Sequence, residues 1–165
     1  MEILQEQRLG AAHREPKKGC GRADCACALP LSEQFVLWAL RQWQQDRALP
    51  GEGSILHRGF KVAGVLDALP DFAIAMDAFL FGARRAMEIH VPTCSTVSRD
   101  EAVLVALCGL AQADHDRPLL ASLDIMMALT ASRVAAIRLK AFAVALAGAG
   151  LRIAPAAGAA AGRLN

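Results

Sequence analysis

From about Leu31 to Ile153 the large apolar residues recur at three- and four-residue intervals. Nowhere do they alternate with polar residues over a useful length. The pattern predicts six helices and no sheet. Ser32 is placed to cap the first, with Glu33 in its opening turn, and Val36, Leu40 and Trp43 share its buried face. Pro50 and Gly51 end it, and Ser54 is the expected cap of a second helix whose apolar positions are Ile55, Gly59, Val62, Leu66 and Leu69. Gly59 and Gly64 weaken that helix, so each marks either a close helix contact or a bend.

Pro70 suits the first turn of a third helix, with a stripe of Phe72, Met76, Phe79, Ala83 and Met87. The segment His90 to Val97 then interrupts the helices, because Pro92 and the hydroxyl residues around it favour turns. Its exit carries a capping box, Ser98-Arg99-Asp100-Glu101, in which Ser98 and Glu101 each satisfy the other's amide. The fourth helix, starting there, is apolar nearly all round and so belongs inside the bundle. A fifth begins near Pro118 and buries Leu119, Leu120, Leu123 and Met127. A sixth, capped by Thr130 or Ser132, carries Ala135, Leu139, Phe142 and Leu146 to a stop at Gly148 and Gly150. The expected fold is therefore all-α: a single-domain bundle of five to six helices over residues 31–153, flanked by a flexible Cys-containing arm (1–30) and a disordered Ala/Gly tail (154–165).

Composition agrees with one soluble core. The 165 residues are 55% hydrophobic and 21% charged, with no Tyr. Arg (14) outnumbers Lys (4) and Ala abounds, a bias that a GC-rich genome explains as readily as selection on the protein, and a bacterial-type protein is expected. The net charge of +2 is spread along the chain and offers no field for a polyanion, so nucleic acid is not indicated. The start MEILQEQRLG has no secretory pattern, and no uncharged run approaches the roughly 18 residues of a membrane span. A cytoplasmic protein is expected, and its five cysteines are then thiols or metal ligands rather than a disulfide framework.

Two groups of residues carry candidate chemistry. Cys20, Cys25 and Cys27 lie beside Lys17, Lys18 and Arg22, whose charge favours thiolates. With His90 or Cys94 as a fourth ligand they would hold zinc, provided the arm folds back, although the single residue between Cys25 and Cys27 strains joint ligation. Separately, His90 and Cys94 make a minimal base and nucleophile ahead of a helix N-terminus, but no third group that would orient the base is apparent. Cys108, within the most apolar helix, reads as a buried small hydrophobe. Asp114, His115 and Asp116 are adjacent in a turn and converge poorly on a cation.

The third helix holds more large apolar residues than one stripe accommodates, and the fifth ends in Ile125, Met126 and Met127. Phe72, Met76, Phe79, Phe81, Met126 and Met127 are accordingly the candidate interface. The leading expectation is a non-enzymatic interaction or regulatory protein, without a cofactor, that self-associates or binds a protein partner through these faces. The alternative is a metal- or redox-responsive protein in which the N-terminal cluster of Cys20, Cys25 and Cys27 senses zinc or oxidant.

Overall fold

The computed structural model describes residues 25–46 and 51–154. These form six α-helices: α1 (Leu31–Asp46), α2 (Ile55–Val62), α3 (Leu69–Gly82), α4 (Arg99–Gln112), α5 (Asp116–Met126) and α6 (Leu129–Gly148). No strand occurs among the described residues, and the chain is all-α as its periodicity predicts. No described helix is long and apolar enough to cross a membrane. The expectations for residues 1–24, including Cys20, and for the tail beyond Ala154 lie outside the described residues.

Local signals act where the partner is local. The Ser54 hydroxyl accepts from the His57 amide at 3.0 Å and opens α2. Ser98 and Glu101 form the capping box at the start of α4. Helix ends set by distant groups depart from the pattern. Hydrogen bonding in α1 begins one residue early, with the Gln34 amide donating to the Pro30 carbonyl at 2.9 Å. The Ser32 hydroxyl does not cap it and donates instead to the Arg152 carbonyl at 2.5 Å, fastening α1 to the segment after α6. Neither Thr130 nor Ser132 caps α6, where Ala128 stands in the cap position. Ser132 is buried inside α6 and donates to Asp124 Oδ1 at 2.5 Å.

The second helix stops at Val62 instead of running on to Leu69, because Gly64 adopts φ +70° and turns the chain into a 3₁₀ turn at Leu66–Ala68. Gly59 has the other role: a Cβ there would overlap the indole of Trp38, so its bareness lets α1 and α2 approach. The third helix ends at Gly82, short of Met87. Ala83 is extended and pairs with Met127, the Arg84 amide donates to the Met126 carbonyl and the Ala128 amide to the Gly82 carbonyl, each at 2.9 Å. These cross-chain bonds replace the helical ones that would have carried α3 onward.

The centre of the bundle is shared. α4 is buried over most of its surface and packs on α1, α5 and α6, while α6 also packs on α3, α5 and the Leu66–Ala68 turn. Phe60, Phe72 and Phe142 form the aromatic heart, with ring centroids 5.1–6.1 Å apart. Four residues expected at an interface are spent in this core: Phe72, Met76, Phe79 and Met127 are each at most 4% exposed. The surplus of large residues on α3 therefore fills the bundle's interior. Met126 is half-buried, and of the six only Phe81 stands fully on the surface, 83% exposed.

Candidate functional site

Arg41 lies on the inner face of α1, one turn after the buried Leu37, and is itself only 3% exposed. Opposite it, in the first turn of α4, Glu101 is completely buried. Two charges taken out of water persist only when paired and fully hydrogen-bonded. That condition is met. Arg41 Nε donates to Glu101 Oε1 at 2.7 Å and Nη2 to Oε2 at 2.9 Å, a bidentate pair. The carboxylate also accepts the amides of His90, at 2.9 Å on Oε1, and Ser98, at 2.8 Å on Oε2. The guanidinium uses its remaining reach on the loop between α3 and α4, where Nη1 donates to the Cys94 carbonyl and Nη2 to the Thr96 carbonyl, both at 2.6 Å.

The effect is to clamp that loop. Glu101 holds its middle and its end, Arg41 holds the two carbonyls between, and Asp100 takes its beginning by accepting from Arg85 and from the Glu88 amide at 2.8 Å. Ser98 Oγ adds a bond to the Glu88 carbonyl at 2.5 Å. Burial alone would push the Glu101 carboxyl up, but the bonds from Arg41, Ser98 and His90 outweigh it and hold it below the usual carboxylate range. Asp100 is likewise held down, first by Arg85.

What the clamp presents is Cys94 with His90. The Cys94 Sγ lies 3.3 Å from the Thr96 hydroxyl and 3.5 Å from His90 Nδ1, and the side chain is half-buried. His90 Nδ1 also faces the Thr96 carbonyl at 3.1 Å, and Nε2 faces Glu88 Oε1 at 3.3 Å. Both ring nitrogens therefore meet acceptors, an arrangement that suits the doubly protonated imidazolium. The Thr96 carbonyl, with Glu88, Glu101 and Cys94 behind it, raises the His90 pKa from its ordinary value. The Thr96 hydroxyl, then the Thr96 backbone, His90 and Arg41, lowers that of Cys94. A thiolate beside an imidazolium is the active form of a nucleophilic or metal-ligating cysteine.

The segment before α1 reaches this site. Cys25 forms an isolated antiparallel bridge with Thr96, and the Ala26 amide donates to the Ser95 carbonyl at 2.8 Å. Cys25, within the arm expected to be flexible up to residue 30, is 2% exposed and held against this loop, while Ala28 and Pro30 are exposed. Cys27, one residue into the 3₁₀ turn at Ala26–Ala28, is exposed. The structure thus brings Cys25 and the turn bearing Cys27 to the loop that holds His90 and Cys94. Among the described residues no three His, Cys, Asp or Glu side chains gather closely enough to hold a metal ion. Cys108 is remote in character: burial pushes its thiol up to about 12. At the Asp114–Asp116 turn the Lys140 ammonium stands 2.7 Å from each aspartate, filling the place a cation would take.

The sequence pattern passes over Arg41, although a charge in register with the apolar Leu37 is a signal in itself. It identifies Glu101 as a cap and gives no sign that the same carboxylate is an ion-pair partner of α1. No protein-family model matches the chain, and no curated protein or solved structure proves similar to it.

Proposed function

We propose that this chain is a regulatory protein that responds through Cys94 to thiol-reactive species, oxidants or soft metal ions. The observation that carries the reading is the Cys94–His90 pair at 3.5 Å on a loop clamped by a buried Arg41–Glu101 ion pair. A buried ion pair contributes little net stability, because desolvation consumes most of its attraction, and its better-attested use is to fix one geometry. Here the geometry fixed is that of the loop carrying the thiol. Among the described residues the groups at Cys94 Sγ are the Thr96 hydroxyl and His90 Nδ1, a set that supports a responsive thiol more readily than a turnover enzyme with its own substrate site.

The test is the alkylation rate of Cys94 as a function of pH in the full chain, followed by peptide mass spectrometry. Reactivity tracks the thiolate, so the half-maximal rate should fall below pH 8.5, the value of an unperturbed thiol, and below neutrality Cys94 should be the first cysteine modified. His90→Gln should move the midpoint upward. The linkage signs oppose one another. The depressed Cys94 pKa gives stability that is present above its unfolded value and lost as pH falls through the folded one. The raised His90 pKa gives stability present below about pH 6.5 and lost as pH rises through its folded value. A Cys94 midpoint at or above 8.5 would remove the basis of the reading.

A second reading, self-association, is favoured by a different surface. Ile74, Phe81 and Val134 line one shallow apolar groove between α3 and α6, and Ile137 and Val144 continue along the outer face of α6, each 65% exposed. Light scattering on the eluting protein should give a dimer mass for the wild-type chain and a monomer mass for Phe81→Glu. A monomer in both would leave the groove without that role.

A further inference from the structure

The bridge between Cys25 and Thr96 has a chemical consequence for the site, and the inference from it rests on the reading of Cys94 as the responsive thiol. Directly opposed residues of an antiparallel pair project their side chains to the same side, with Cβ atoms about 4.5–5.5 Å apart. The Cys25 thiol therefore stands on the side of the Thr96 hydroxyl, and that hydroxyl is 3.3 Å from Cys94 Sγ. Cys94 lies two residues before Thr96, just after the turn closed by its amide on the Val91 carbonyl, and residues so related across extended pairing have Cα atoms about 7–8 Å apart. A disulfide needs about 4.4–6.8 Å. The difference is about an ångström or two, to be closed by movement of the Cys25 segment toward a loop that Arg41 and Glu101 hold in place. Cys27 leaves the pairing through the 3₁₀ turn and faces solvent, and Cys108 is sealed in the core.

We propose that Cys94 is the site of oxidation by a hydroperoxide and that Cys25 resolves the product as an intramolecular disulfide. In the first step the Cys94 thiolate attacks one oxygen of ROOH. An S–O bond forms, the O–O bond breaks, and the departing RO⁻ takes the proton that His90 Nδ1 holds beside the sulfur, leaving as ROH. The sulfur is oxidised to sulfenic acid and the peroxide is reduced to alcohol and the new S–OH oxygen. In the second step the Cys25 sulfur attacks Cys94 Sγ. The S–S bond forms, the S–OH bond breaks, and hydroxide leaves with the Cys25 proton as water. His90 Nδ1, 3.5 Å from the sulfur, gives its proton in the first step, and the Thr96 hydroxyl, at 3.3 Å, is the donor that remains for the hydroxide leaving in the second. The product ties the segment before α1 covalently to the α3–α4 loop, so oxidation is read out as a change in how that segment is held.

The full chain, reduced and freed of reductant, is treated with one equivalent of hydrogen peroxide at neutral pH. It is then blocked with an alkylating agent and mapped by mass spectrometry without reduction. The expected result is a Cys25–Cys94 linked peptide in the wild-type chain, with both thiols lost to the alkylating agent together. Cys94→Ser should leave Cys25 alkylatable, and Cys25→Ser should accumulate a Cys94 sulfenic acid that dimedone captures. A Cys94 sulfenic acid that persists in the wild-type chain, or a linkage from Cys94 to Cys27 or Cys20, overturns the assignment of Cys25 while leaving Cys94 as the responsive thiol. A Cys94 that peroxide does not oxidise overturns the assignment together with the functional reading beneath it. The wild-type map decides the matter without depending on how well either variant folds.

Discussion

Replacing Glu101 by alanine is expected to cost the fold about 3–5 kcal/mol, a large share of the roughly 5–15 kcal/mol by which a domain of this size is stable. The loss comes less from the missing attraction than from what remains. Arg41, 3% exposed, would keep its charge in the interior with two carbonyls for company, and the amides of His90 and Ser98 would lose their acceptor. The cost should fall when the stranded charge is removed as well: Glu101→Leu with Arg41→Met recovers the part due to the buried charge, while the amides of His90 and Ser98 and the carbonyls of Cys94 and Thr96 still lack the partners they had. The stability recovered should not restore the site. With no guanidinium on the carbonyls of Cys94 and Thr96 and no carboxylate on the His90 amide, the loop loses its clamp, and the Cys94 alkylation midpoint should drift up toward that of a free thiol. Denaturant titration of the single and double variants reads the first effect, and alkylation the second. Equal stability in wild type and Glu101→Ala would show that the pair is open to water. The acid limb gives an independent check. The folded pKa values of Glu101 and Asp100 lie below their unfolded values, so their contribution is complete above about pH 5 and is lost as pH falls through the folded values. The double variant should lose stability less steeply over that range.

The same pair shows how far the sequence could be read. Ser54 and the Ser98–Glu101 box are legible because each oxygen and its amide lie within one turn, and the helical period of α4 reports burial on every side. Ser32 and Ser132 look like caps by the same rule and are not, since each finds an acceptor on another element, the Arg152 carbonyl or the Asp124 carboxylate. The end of α3 at Gly82 is fixed by carbonyls and amides of residues 126–128, which no window around residue 82 contains. At the site, the four-residue spacing of His90 and Cys94 is enough to suspect the pair, whereas the docking of Cys25 on Thr96 is a tertiary fact. Arg41 is the instructive case: the buried face read from the sequence, Val36, Leu40 and Trp43, does not include it, and only the fold shows that it is buried and that Glu101, sixty positions on, is its partner.

Truncating Phe142 to alanine should cost a similar 3–5 kcal/mol by a different route. Its ring is fully buried and lies 5.1 Å from that of Phe72 and 6.1 Å from that of Phe60, so removal leaves a void where α2, α3 and α6 meet. Helices held by several elements cannot collapse fully into such a void, and the lost contacts add to the lost transfer free energy. The groups that clamp the α3–α4 loop, Arg41 on α1 with Asp100 and Glu101 in the first turn of α4, are separate from these three rings, which meet α1 through Phe35, 5.3 Å from Phe60 between ring centroids. Phe142→Ala should therefore shift the denaturation midpoint as far as Glu101→Ala does while leaving the Cys94 alkylation midpoint unchanged under native conditions. That dissociation is what separates a positioning role for Arg41 and Glu101 from a merely structural one. If loosening the aromatic core moved the thiol's titration as much as cutting the ion pair, the clamp would be only one more part of a cooperative core. If Cys94 stays poised in Phe142→Ala and relaxes in Glu101→Ala, the buried charges are there to hold the thiol.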